Sequence, residues 1–323
     1  MISAYSSDGG RLVLLEPSAA SLEKAVWFDL LTPTREEEAL VEQALGIGVP
    51  LREEMEEIEI SSRLYYEDGA AYMTATLPAL TDTDEPHLAP VTFVLAGERL
   101  VTVRYHEPRA FVTLAARAQR IAMGCNNGES VLTALLEIQV DRLADVLERI
   151  SREVAQISKE VFQRRGSRPS RSSTIQALLE AIGRKGDLTS NIRECLGSLG
   201  RMLGFFGQVT LKGKTEKELR VRVRTLSRDC QSITDHAGFL TQKVTFLLDA
   251  TLGLINIEQN AIIKIFSVVA VVFLPPTLIA SIYGMNFQFM PELSWPFGYP
   301  LAMLLMVLSA ISPFWYFRRR GWL

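Results

Sequence analysis

The sequence predicts an α+β protein: an amino-terminal α/β domain, a long helical stalk and a carboxy-terminal hairpin of two transmembrane helices. Three observations carry that reading. Short β-rich runs fill the stretch up to residue 104 and then stop. Beyond Pro108 the apolar residues recur at helical spacing. At the far end lie two uncharged apolar runs, 265–283 and 297–317. Each is roughly 20 residues, enough to cross about 30 Å of hydrocarbon as a helix.

The α/β part begins with β-rich runs at 11–15 and 25–28. Thr34 is a cap candidate, followed by Glu36, Glu37 and Glu38 and then apolar spacing, which predicts a helix over 34–46. Two hairpins follow. Asp68-Gly69 joins runs at 63–66 and 71–76, and Ala96-Gly97-Glu98-Arg99 joins runs at 91–95 and 100–104. Residues 82–86 form a polar loop.

Leu132, Leu135, Leu143, Val146 and Ile150 set a helical period over 130–165, broken by Gly166-Ser167-Arg168-Pro169-Ser170. A second helical stretch covers 174–206, and Lys212-Gly213-Lys214 breaks the pattern again. From 215 to 283 no proline precedes Pro275-Pro276, and Gly238 and Gly253 are isolated. The simplest reading is one helix, about 100 Å long at 1.5 Å per residue, that starts outside the membrane and runs into it. Isolated helices are marginal, so this one needs lateral partners: the two preceding helices and further copies of the chain. The expected divisions are 1–125 for the α/β domain, 126–260 for the helical region with the start of the stalk, 261–283 for the first transmembrane helix, 284–296 for a loop, 297–317 for the second transmembrane helix and 318–323 for a basic tail.

Composition narrows the function. The 323 residues exceed one ordinary domain, and a net charge of −3 points to neither nucleic acid nor an acidic polymer as partner. Cys125, Cys195 and Cys230 are odd in number and far apart, which suits a reducing compartment. His87, His106 and His236 are equally scattered, and no Cys/His group has zinc-ligand spacing. The amino terminus, Met1-Ile2-Ser3-Ala4-Tyr5-Ser6, reads as no signal peptide. Gly207 to Thr215 imitates a phosphate-binding loop but has five residues between its glycines where the motif needs four, and it joins two helices, so no nucleotide is expected. No nucleophile–base pair is apparent, and no enzyme is expected.

Orientation follows from charge. Lys264 precedes the first run, Arg318, Arg319 and Arg320 follow the second, and the loop between them has no Lys or Arg. Both termini are therefore expected in the cytoplasm, in a multi-pass protein of the cytoplasmic (inner) membrane.

The long helix carries a stripe. Asp249, Gly253, Asn256, Asn260, Ile263, Ser267, Ala270, Leu274, Thr277 and Ser281 share one polar or small face, with Phe266 on its border. A polar residue facing lipid is costly, so this face looks into protein or water. Two explanations stand. Small and hydroxyl residues line helix–helix contacts. Alternatively, a ring of these helices encloses a wet path, which the amides and carboxylate favour and which requires a symmetric homo-oligomer. In a ring, Ile263, Phe266 and Leu274 become apolar constrictions able to gate by dewetting.

Gly284-Met285-Asn286 directly after a membrane helix, with Met290-Pro291-Glu292-Leu293 beyond it, resembles the CorA family of magnesium transport proteins. Ile257-Glu258-Gln259-Asn260, Phe273-Leu274-Pro275-Pro276-Thr277, Phe297-Gly298-Tyr299-Pro300 and the closing Trp322-Leu323 look like that family too, so the clear likeness covers 240–323. The resemblance implies a funnel-shaped homopentamer with the first membrane helix lining the pore. Gly284, Met285 and Asn286 would form the selectivity filter, with Asn286 gripping hydrated Mg²⁺. Asp249, Asn260, Ile263, Phe266, Leu274 and Thr277 match pore-lining positions, and the stripe adds Asn256. Mg²⁺ sheds water reluctantly, so neutral carbonyl oxygens that accept from its waters suit passage better than a trap of carboxylates.

Glu292 would attract cations at the entrance, where Gln288 replaces an acidic residue of many relatives. Arg318, Arg319 and Arg320 set topology or form a basic collar at the inner end. Mg²⁺ is expected as substrate and as regulator, bound between cytoplasmic subunits; Asp229, Asp235 and the acidic run 53–59 are candidates, though the run also reads as a solvated helix face. No organic cofactor is implied, and Co²⁺ and Ni²⁺ are further cargo. Membrane lipids and divalent cations complete the partners. The rivals are a zinc transporter of the same superfamily and a membrane-anchored scaffold or sensor without a conduit.

Overall fold

The computed structural model describes residues 1–16, 23–81, 83, 86–163, 172–212, 215–286 and 290–322, with the side chains of 163, 172–174, 212, 292 and 293 excepted. It divides into two compact units, Met1–Leu248 and Asp249–Leu323.

The first unit is built on a mixed sheet. Its strands are β1 (Ile2–Asp8), β2 (Arg11–Leu15), β3 (Trp27–Leu31), β4 (Leu64–Glu67), β5 (Ala70–Ala79), β6 (His87–Ala96) and β7 (Arg99–Arg104). They lie in the order β2-β1-β3-β7-β6-β5-β4, antiparallel except where β3 runs parallel to β7 with Trp27 opposite Leu100. The hairpin joining β4 and β5 turns at Asp68 and Gly69, with φ of 49° and 79°, the left-handed pair that such a two-residue turn requires.

Helices cover both faces, which is why β5 is buried along its whole length. On one face α1 (Arg35–Leu45) presses Val41 onto Phe28, Leu30, Val101 and Val103. Thr34 and Glu37 cap α1 reciprocally, and Gly46 ends it at φ 66°. Two short helices follow: α2 (Arg52–Met55) begins the acidic run and α3 (Ile60–Arg63) lies just beyond it. The other face carries α4 (Arg109–Arg120), α5 (Gly128–Gln163) and α6 (Ser172–Lys212). Phe111 of α4 lies 6.3 Å from the rings of both Trp27 and Phe93. Thr76 of β5 donates its N–H to Ser198 Oγ of α6 at 2.9 Å.

Beneath these helices sits a buried ion pair. Arg104 meets Asp29 through two bonds, 3.0 Å from Nε and 2.7 Å from Nη2, and Thr102 donates to the same carboxylate at 2.8 Å. Beside it His106 contacts the Leu77 carbonyl through Nε2 at 2.9 Å, and burial pushes its pKa down to about 4. The ring is therefore neutral near pH 7.

Helix α7 (Lys217–Tyr283) is a single 67-residue element. Within the first unit it buries Leu219, Val223, Leu226, Cys230, Ala237, Leu240, Val244 and Leu247. They recur every third or fourth residue apart from one seven-residue step between Cys230 and Ala237, the seam of a coiled coil. Arg222 ties α7 to Glu137 of α5 at 2.7 Å. A turn at Pro291–Ser294 and α8 (Gly298–Arg319) complete the second unit.

The expected mixed α/β part, long helix and two terminal apolar helices are all present. Three elements have no counterpart in the sequence reading: β1, whose Ser and Asp residues hide its alternation, the single turn α3, and α4, which starts behind Pro108. Helix α6 also continues past Phe206 to Lys212 through Gly207, because a lone helical glycine costs only about 1 kcal/mol.

Candidate functional site

In the second unit, α7 has one covered face. Val268 is 4% exposed, and Val272, Pro275, Ile279 and Tyr283 are half-buried, recurring every third or fourth residue. On α8 the buried residue is Ala302. The Lys264 ammonium sits 5.8 Å from the centre of the Trp322 ring, so the start of this segment of α7 lies beside the end of α8.

Turning about 100° per residue, Ile263, Phe266, Leu274 and Thr277 fall within about a quarter turn of one another and about 180° from the covered face. All four are exposed, Phe266 at 72%, as are Asp249, Asn256 and Asn260. The candidate stripe is thus the face that the neighbouring membrane helix leaves open. Phe266 is exposed and Ser267 is half-buried.

Pro275 and Pro276 have no N–H, which releases the carbonyls one turn earlier. Thr277 donates its hydroxyl to the Phe273 carbonyl at 2.7 Å, a bond of the kind that bends helices. Its oxygen keeps its lone pairs as acceptors on the open face.

Helix α7 closes on Gly284 N–H to the Ala280 carbonyl at 3.0 Å and Met285 N–H to the Ile282 carbonyl at 3.2 Å. A Cβ at Gly284 would stand 3.1 Å from the Ala280 oxygen, a tight contact that glycine avoids. Met285 and Asn286 are exposed, and among the described residues the Asn286 amide has no hydrogen-bond partner. Gln288 lies outside the described residues. Glu292 falls in the Pro291–Ser294 turn, with its side chain outside them.

At the other end of the hairpin Arg318, Arg319 and Arg320 are exposed. Arg319 stacks on Trp315 at 5.3 Å and Arg320 on Tyr316 at 5.4 Å. The sequence reading missed this pairing, although the spacing of four between each aromatic and its arginine was there to see.

The regulatory candidates lie in the first unit. Asp229 faces an acidic row on α5: burial, then Glu137, Asp145 and Asp229, hold the Asp141 carboxyl above its ordinary range. Asp235 accepts from Gln231 at 2.9 Å. In the run 53–59, Glu54 caps the Leu51 N–H at 2.8 Å and Glu56 pairs with Arg52 at 3.2 Å. Among the described residues no group of three or more His, Cys, Asp or Glu could hold a metal within one chain. Burial pushes the Cys125 and Cys230 thiols up to about 11, and that of Cys195 higher still, so none is a nucleophile near pH 7.

A family model described as CorA-like Mg²⁺ transporter protein matches residues 23–319. The magnesium transport protein CorA of Pasteurella multocida is 37% identical over 326 residues, and that of Escherichia coli is 38% identical over 325, each alignment covering 100% of both chains. The solved CorA magnesium transporter of Methanocaldococcus jannaschii shares the fold, with a TM-score of 0.77 at 24% identity, over 100% of this chain and 99% of that one.

Proposed function

The chain belongs to the CorA family, and from that premise we propose that it carries Mg²⁺ across the cytoplasmic membrane as a passive homopentameric channel. The observation that carries the mechanism is the opposition on α7. Its polar, exposed stripe lies opposite the face covered in the second unit, and the stripe leads to Gly284-Met285-Asn286. Two apolar helices cannot enclose a path alone, so the open face calls for copies of itself around an axis. Exposed Val221, Phe239 and Phe246 on the preceding part of α7 offer apolar surface for the same association.

Five Asn286 amides form the outer ring and accept from the waters of a still-hydrated Mg²⁺. Glu292 raises the local cation concentration before it. Below, Thr277, Asn260, Asn256 and Asp249 supply oxygen, and Leu274, Phe266 and Ile263 narrow the path. The membrane potential drives entry at about 4.6 kcal/mol per divalent ion for each 100 mV. Both termini lie in the cytoplasm. Mg²⁺ also regulates: a cation bound near Asp229 between subunits would relieve the repulsion that raises Asp141. Co²⁺ and Ni²⁺ are further cargo.

Uptake into proteoliposomes with an inside-negative potential tests this. The intact chain should take up Mg²⁺, and Asn286→Ala should lose at least tenfold. No flux from either form, or a Zn²⁺ flux that survives excess Mg²⁺ while Mg²⁺ flux is absent, would contradict it.

A further inference from the structure

We propose that the carboxy-terminal end of the hairpin holds one anionic phospholipid head group per chain, drawn from the cytoplasmic leaflet. The site is built by a turn. Gly321, at φ 70°, donates its N–H to the Arg318 carbonyl at 3.1 Å, and Trp322 donates to the Phe317 carbonyl at 3.1 Å. That reversal is available to glycine and folds the chain back on the helix end. It lays the Trp322 indole on Phe317, ring centres 5.2 Å apart, and beneath Lys264 of the first membrane helix.

Four cations collect here: Lys264, Arg318, Arg319 and Arg320. Among the described residues none of them pairs with a carboxylate. Three are steadied by aromatic rings instead, Lys264 on Trp322, Arg319 on Trp315 and Arg320 on Tyr316. A ring beneath a guanidinium fixes its position and leaves its N–H fork free for an acceptor. Phosphate oxygens match that fork bidentately, and Trp and Tyr settle at head-group depth.

Direction separates this site from a collar around the axis. Trp315 lies about 140° around α8 from buried Ala302, and Lys264 about 120° around α7 from the middle of the open stripe. Lys264 and the Trp315–Arg319 pair therefore address the lipid side, while Tyr316, about 40° from Ala302, carries Arg320 at the seam between the two helices. The occupant is a bilayer lipid because the cluster stands where two apolar helices end, and because its charge calls for a counterion that no side chain among the described residues supplies.

This inference rests on reading the two helices as membrane spans. Vesicle flotation checks that premise separately: a chain that floats with neither neutral nor anionic vesicles refutes the spans, whereas one that floats with both leaves only the lipid preference in question. The test is native mass spectrometry of the full chain in detergent, titrated with phosphatidylglycerol, phosphatidylcholine or glycerol 3-phosphate. Phosphatidylglycerol should be retained at about one per chain and at least tenfold more tightly than phosphatidylcholine, and glycerol 3-phosphate at equal concentration should not displace it. Arg319→Gln with Arg320→Gln should erase the preference, and Trp322→Ala should weaken it. Equal retention of the two lipids overturns the proposal, as does an undiminished preference in the double variant. So does displacement by glycerol 3-phosphate, which would mark a soluble-anion site. A double variant that keeps its lipid preference but passes more Mg²⁺ in phosphatidylcholine vesicles would assign these arginines to a collar.

Discussion

The two units treat polar groups in opposite ways. In Met1–Leu248 polar side chains that lie inside pair with one another: Asp29 with Arg104 and Thr102, Thr74 with Thr92 at 2.8 Å, Trp27 with Thr102 at 3.0 Å, while His106 Nδ1 is buried without a hydrogen bond among the described residues. In Asp249–Leu323 the polar residues Asn256, Asn260, Thr277 and Asn286 stand exposed on or beside an apolar helix. A buried polar group without a partner is costly, and so is one facing lipid. The first unit thus meets most of its requirements through pairs made within one chain. On the proposed reading the second meets them when water and further copies are supplied.

The contrast predicts that substitutions in the two units fail differently. The largest effect is Asn286→Ala, which should cut Mg²⁺ uptake at least tenfold while leaving thermal unfolding of the first unit unchanged. Next is Asp29→Ala, which strands a buried guanidinium and should destabilise the first unit by about 3–5 kcal/mol, read as a lower denaturation midpoint. His106 gives a pH-dependent counterpart. Its folded pKa of about 4 lies below the ordinary value near 6.5, so the unfolded chain binds its proton first. Stability should be complete above pH 6.5 and fall by about 3 kcal/mol in all as pH drops toward 4, and His106→Gln should flatten that slope. The smallest effect is Thr34→Ala, which removes the cap on α1 and should cost about 1 kcal/mol without touching transport.

Much of this contrast was legible in the sequence, for a physical reason: strong local rules act where the chain has few alternatives. Asp68-Gly69 announced its hairpin because only such residues tolerate two positive φ values in succession. Thr34 and Gly46 announced both ends of α1. The membrane runs announced themselves by length and lack of charge. What stayed hidden depends on contacts distant in sequence. Ile2–Asp8 is a strand because β2 and β3 flank it, not because of its own pattern. The stripe was visible as a spacing, but nothing in the spacing reveals that Val268 and Val272 turn the opposite face inward. The reversal at Gly321 that places Trp322 under Lys264 likewise joins residues far apart in the chain.

The central claim is that the open face of α7 looks onto water at the axis of a ring of copies. Cysteine accessibility tests it most directly, with low background because Cys125, Cys195 and Cys230 are buried. Thr277→Cys should react quickly with a small membrane-impermeant thiol reagent and lose Mg²⁺ uptake on reaction, while Val269→Cys, on the flank away from the stripe, should remain unmodified. Equal reaction at the two positions, or reaction at Val269→Cys alone, would contradict the account.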